Sequence, residues 1–119
     1  MIETIPFDAD NVVGFRITGK LRGETLDAIS ASLEDKLRRH AKVRIYAEMP
    51  RFEGVTPEAV FDDLRLAMRH WRDIEREAVV TDEAWIRKIT PLGHAMAPGI
   101  EVKAFATADR EAARAWIAS

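Results

Sequence analysis

Three acids are placed where an α/β protein does chemistry. Glu48, Asp82 and Asp109 each follow a run of strand-like residues, so all three could gather at the carboxyl ends of strands. A pair of such carboxylates can act as general acid and base, but only beside a nucleophile and donors for a developing oxyanion, and no such set accompanies them. Capping of helices and ion pairing explain all three, with Asp82 expected to cap a helix beginning at Glu83-Ala84-Trp85 and Asp109 the final helix. The three histidines, His40, His70 and His94, lie far apart with no second ligand at metal spacing, and there is no cysteine. The pair of glycines in Gly19-Lys20-Leu21-Arg22-Gly23 lacks the Gly-Lys-Ser/Thr ending of a phosphate loop and reads as a turn. The expectation is a protein that is not an enzyme and carries no metal or cofactor.

The elements that would position these residues follow from periodicity. Lys42 to Trp71 reads as a strand, a loop and an amphipathic helix. Val43, Ile45 and Ala47 share one strand face, and Val60, Leu64, Ala67, Trp71 and Ile74 one helical stripe. Arg44, Tyr46 and Glu48 fall on the other strand face, which is either partly wet or holds a paired Arg and Glu. Met49 to Gly54 reads as a loop forming the rim of a ligand site, and Thr56-Pro57 as cap and first turn of the next helix.

Upstream, Ile2 to Phe7 and Val12 to Gly19 read as an antiparallel hairpin, with Val13, Phe15 and Ile17 facing the core. A helix over Leu26 to Arg39 would bury Leu26, Ile29, Leu33 and Leu37, with Thr25 as cap. Arg38, Arg39 and His40 at its end complement the helix dipole better than they define an anion site, and His40 has no further role. Downstream, Glu77 to Asp82 is a short apolar run suited to an interior parallel strand. Ile100 to Ala106 is a last strand, and a short helix should bury Ala112, Ala113, Trp116 and Ile117.

The stretch Ile89 to Ile100, ITPLGHAMAPGI, has no charged residue in a chain that is 32% charged. Thr90-Pro91 should break or bend a helix there. The segment is either ordinary buried core or an apolar surface. In the second case Leu92, Met96 and Ile100 form a patch that a homodimer would cover.

At 119 residues, one domain spanning 1–119 is expected. The formal charge of −2 comes from interspersed acids and bases, which argues against nucleic acid as a partner. The first residues lack a signal-peptide pattern, so a cytoplasmic location is expected. No apolar run approaches the roughly 18 residues that span a bilayer, so membrane contact would be peripheral.

The order β, β, α, β, α, β, α, β, α gives an α/β layered domain with a mixed sheet of about five strands, an initial antiparallel hairpin and covering helices. GKLRGETLDAI, KVRIYAEMPRFEG, AVVTDEAWI and VKAFATADREAARAWI, with their spacing, resemble the SpoIIAA-like proteins, small bacterial relatives of the STAS fold with similarity to CRAL-TRIO (SEC14) lipid carriers. The resemblance implies either of two roles: a protein-interaction module or an enclosure for an apolar ligand. STAS anti-sigma-factor antagonists carry a phosphorylatable serine after the central strand, and here no serine occurs between Met49 and Trp71. Thr56 is the hydroxyl nearest that place, and it precedes Pro57 as an N-cap. The resemblance therefore implies a non-enzymatic binding domain for an apolar small molecule or lipid, with the uncharged segment as a mobile apolar helix. Phe52, Trp71, Trp85, Leu92 and Met96 would line the site. The other reading is a regulatory module with a protein partner and without the usual phosphoserine.

Overall fold

The computed structural model describes residues 2–55, 72–84, 86 and 99–119, with the backbone alone described at Phe52 and Val55. The elements are β1 (Ile2–Ile5), β2 (Val12–Leu21), α1 (Gly23–Leu37), β3 (Val43–Val55), β4 (Ile74–Val80), β5 (Glu101–Phe105), a 3-10 turn (Thr107–Asp109) and α2 (Arg110–Ala118). They build a mixed five-stranded sheet in the order β1-β2-β3-β4-β5. β1 and β2 pair antiparallel, and every other neighbouring pair is parallel.

The sheet has an apolar core on each face because its interior strands alternate. Val13, Phe15 and Ile17 of β2, Val43 of β3 and Val79 of β4 pack with Leu26, Ile29 and Leu33 of α1, and Ile100 joins this core. On the opposite face Val12, Tyr46, Ala78 and Val80 pack with Ala113 and Ile117 of α2. β4 is thus buried on both faces, as its apolar run predicts. Ile100 is core, which removes it from the expected exposed patch.

Several boundaries differ from the sequence expectation, each for a local reason. β2 continues through the expected turn to Leu21, whose buried side chain anchors the passage into α1. α1 therefore opens at Gly23 and ends at Leu37. The Arg22 carbonyl accepts from Thr25 at 3.1 Å and Leu26 at 3.2 Å and so closes the first turn, which places Thr25 inside the helix and not at its cap. β3 runs on to Val55, because the longer β2 gives it a partner; Met49 to Gly54 is strand and not a loop.

Two bulges make that extension possible. Arg16 pairs with Glu48 and Thr18 with Arg51, leaving an extra residue at Met49-Pro50, where the proline's missing donor does no harm. Gly19 pairs with Phe52 and Lys20 with Gly54; both glycines have positive φ, 75° and 125°, and absorb the second bulge. Ile74, expected on a helical stripe, is the first residue of β4 and pairs with Val43.

In α2, Ala113 and Ile117 are buried, Trp116 is half-buried and Ala112 is exposed. Ala113 and Ile117 face the sheet with Trp116 beside them, and Ala112 lies about 100° round from Ala113. The helix proposed from Thr56 to Trp71, His70, Trp85, the break at Thr90, Leu92, His94 and Met96 all fall outside the described residues.

Candidate functional site

The face of β3 that carries Arg44, Tyr46 and Glu48 is dry and paired. Glu48 is 4% exposed, and both carboxylate oxygens are occupied. The Tyr46 hydroxyl donates to Oε1 at 2.5 Å, and Arg16 Nε donates to Oε2 at 3.0 Å from the neighbouring strand. Arg16 also donates through Nη1 to Glu3 of β1 at 3.3 Å, so three adjacent strands are tied by one chain of polar contacts. Phe7 meets Tyr46 edge to face at 5.1 Å, and the Arg114 guanidinium of α2 lies 4.5 Å from the Phe7 ring centre. Gly14 makes room for this arrangement, since a Cβ there would sit 2.6 Å from both the Ile5 carbonyl oxygen and the Phe7 ring.

Burial, and then the hydrogen bond to Glu48, push the Tyr46 hydroxyl well above the ordinary phenol range. Such a group favours folding fully below its unfolded value near 10, and that contribution is lost as pH rises toward its folded value. Tyr46 is the chain's single tyrosine, so absorbance at 295 nm reads it alone. The folded protein is expected to show no phenolate at pH 10.5, while protein in denaturant shows roughly half-titration near pH 10. A folded-state midpoint near 10 would mean that the hydroxyl is wet.

The other two acids serve separate structural ends. Asp82 Oδ1 accepts the amide of Thr107 at 3.0 Å and so fastens the end of β4 to the turn after β5. The Glu83 amide is met by Thr81 Oγ1 at 3.1 Å. Asp109 occupies the N-cap position of α2, but its side chain makes no cap hydrogen bond, so the capping expected of it is positional only. Among the described residues no three His, Asp or Glu side chains are grouped to hold a metal ion.

Two further features are not legible from local spacing. Arg44 and Arg76, which pair across β3 and β4, close the carboxyl end of α2. Arg44 donates to the carbonyls of Ile117 (2.9 Å) and Ser119, and Arg76 to those of Trp116 (3.0 Å) and Ser119 (3.4 Å). Cations at a helix carboxyl end are favoured by the orphan carbonyls and the dipole.

The second is an open groove of about 490 Å³ between the β1–β2 hairpin and α1. Pro6 and Val13 of the hairpin and Ala31 of α1 give it an apolar lining, Ile5, Phe7 and Val12 border it while their side chains pack on the opposite face of the sheet, and α1 adds Ser32, Asp35 and Lys36. At the end of α1, Asp10 of the hairpin loop receives three basic groups: Lys36 Nζ at 2.9 Å, Arg39 Nε at 3.2 Å and His40 Nε2 at 2.7 Å. These bonds, His40 first, hold the Asp10 carboxyl far below the usual carboxylate range. The basic end of α1 therefore has a carboxylate partner as well as the helix dipole, and His40 has a role that the sequence reading did not give it.

Of the residues expected to line a ligand site, Phe52 lies in β3 with its backbone paired to Gly19, not on a loop rim. Trp71, Trp85, Leu92 and Met96 are outside the described residues.

Comparison with known proteins agrees with this architecture. The SpoIIAA-like family model matches residues 12–118. No curated protein shows significant similarity to the chain. Among solved structures, an uncharacterized protein of the DUF3478 family from Shewanella loihica PV-4, described as having a SpoIIAA-like fold, superposes with a TM-score of 0.77. The match is at 24% identity over 98% of this chain and 92% of that one. Identity at that level shows a shared fold; the family model extends over nearly the whole sequence, and the chain belongs to the SpoIIAA-like family.

Proposed function

We propose that this protein is a non-enzymatic binding domain that receives an apolar or lipid-like small molecule. The observation that carries the reading is the groove between the hairpin and α1, whose volume falls within the roughly 300–1,000 Å³ of small-molecule sites and whose walls are mainly apolar. The acids that could have served catalysis are engaged in structure at Glu48 and Asp82, which supports binding over reaction. Phe52, Trp71, Trp85, Leu92 and Met96 are the alternative seat for the ligand, and Leu92 and Met96 the surface for a homodimer or for peripheral membrane contact. No helix among the described residues is long and apolar enough to cross a membrane.

Native mass spectrometry of protein purified from cells, followed by solvent extraction, tests the reading. Bound lipid or another apolar molecule is expected, and Ala31→Trp, which fills the groove, should release it. Loss of the molecule only on joint Leu92→Glu and Met96→Glu replacement moves the site to the alternative seat. Repeated recovery of empty protein that also ignores vesicles overturns it.

A regulatory protein-interaction module is the second reading, favoured by membership of a family related to STAS domains. An identified partner that binds the purified domain in reconstitution, with no bound small molecule, would establish it.

A further inference from the structure

The groove and the Asp10 cluster are parts of one structure. Pro6 and Phe7, on one wall, belong to the same hairpin loop as Asp10. Lys36, on the other wall, is one of the three groups that hold Asp10. Through Lys36 the groove therefore borders the point where an ammonium, a guanidinium and an imidazole converge on one carboxylate. Asp35 also reaches that rim, but its charge is shared with Arg38 and Arg39 at 4.0 and 3.4 Å.

We infer that the groove takes a free anionic amphiphile, an apolar chain with a single carboxylate or phosphate head, and that the head replaces Asp10 on Lys36, Arg39 and His40. The inference rests on the proposed role as a small-molecule binding domain and names the class of ligand. Asp10 displays the chemistry that the three donors recognise, since a carboxylate at 2.7 to 3.2 Å from all of them is what an acidic head would offer. Its side chain is 54% exposed, so it can swing into water without uncovering apolar surface. The chain of the ligand then lies between Pro6 and Val13 of the hairpin and α1, where Ala31 and Ser32 leave space for it and larger residues would close the groove. An uncharged apolar molecule would gain the walls but leave the donors with Asp10. A zwitterionic headgroup would bring a cation toward Lys36 and Arg39.

Titration calorimetry below the micelle concentration, with dodecanoate, dodecyl phosphate and dodecanol, tests the inference. Both acids are expected to bind at least about tenfold more tightly than the alcohol, a difference of about 1.4 kcal/mol. Asp10→Asn removes the internal competitor and should strengthen acid binding several-fold with no change for the alcohol. Lys36→Met should weaken acid binding about tenfold, and Ala31→Trp should abolish binding of all three, in variants confirmed as folded by circular dichroism. Equal affinity for acid and alcohol, both blocked by Ala31→Trp, overturns the anionic head but leaves the binding role standing. Asp10→Asn and Lys36→Met both without effect also overturn it. Binding of the acids only when presented in vesicles overturns the free amphiphile in favour of a membrane surface, and no binding of any probe counts against the inference and the underlying role together.

Discussion

Replacing Arg16 by methionine is expected to destabilise the fold by about 2–3 kcal/mol, because it strands a buried carboxylate. Breaking a buried ion pair from one side costs roughly 3–5 kcal/mol, and the lower figure applies here since the Arg16 side chain is 37% exposed and water can partly replace it. Glu48→Gln should cost less, about 1 kcal/mol, as an amide of the same shape keeps an acceptor for Tyr46 while Arg16 keeps Glu3 and solvent. The double variant is then expected within about 1 kcal/mol of Glu48→Gln alone, because the uncompensated charge is gone. Urea unfolding of the four proteins measures the cycle. Simple additivity would mean that the two side chains do not interact.

Leu33→Ala is expected to cost about 3 kcal/mol in the same assay. Leu33 is fully buried, at 0% exposure, in the row Leu26, Ile29 and Leu33 by which α1 covers β2 and β3. Truncation there removes transfer free energy and leaves a cavity that a β-sheet floor cannot fill by collapse. Leu33→Met, which nearly conserves volume, should cost less than about 1.5 kcal/mol. A loss below 1 kcal/mol on truncation would show that α1 shifts to close the void.

The sheet was readable from sequence wherever side chains alternate without interruption. Val13, Phe15 and Ile17 point to one core and Tyr46 to the other, and the continuous run through Val79 and Val80 marks an interior strand. Reading fails at Met49-Pro50 and at Gly54, where a bulge resets the alternation and makes strand residues resemble a loop. Fraying of the period-two rule is the local signature of a bulge, but a Pro-Arg-Phe-Glu-Gly string gives the same signature for a true turn. Pairing on the face of Arg44, Tyr46 and Glu48 was one of two readings, and the deciding partner, Arg16, is on another strand. The Asp10 cluster was illegible for a stronger reason. Its donors lie 26 to 30 residues from the acid, and only the packing of α1 on the hairpin brings them together.

Because strands adjacent in space are also adjacent in sequence, the sheet can be laid down in the order in which a ribosome delivers it. The hairpin and α1 come early, so one face acquires its cover while later strands are still being made. Among the described residues the helix on the other face is α2, which follows all five strands. Until Ala113 and Ile117 emerge, Tyr46, Ala78 and Val80 lack that cover, and Arg44 and Arg76 lack the carbonyls that they later hold. These two arginines stand beside that face with carboxylates of the sheet as partners, Arg44 with Glu75 at 3.0 Å and Arg76 with Glu101 at 3.6 Å, so their charge is met within the sheet as well as by α2. The pair thus joins the strands made in the middle of the chain to the helix made after them.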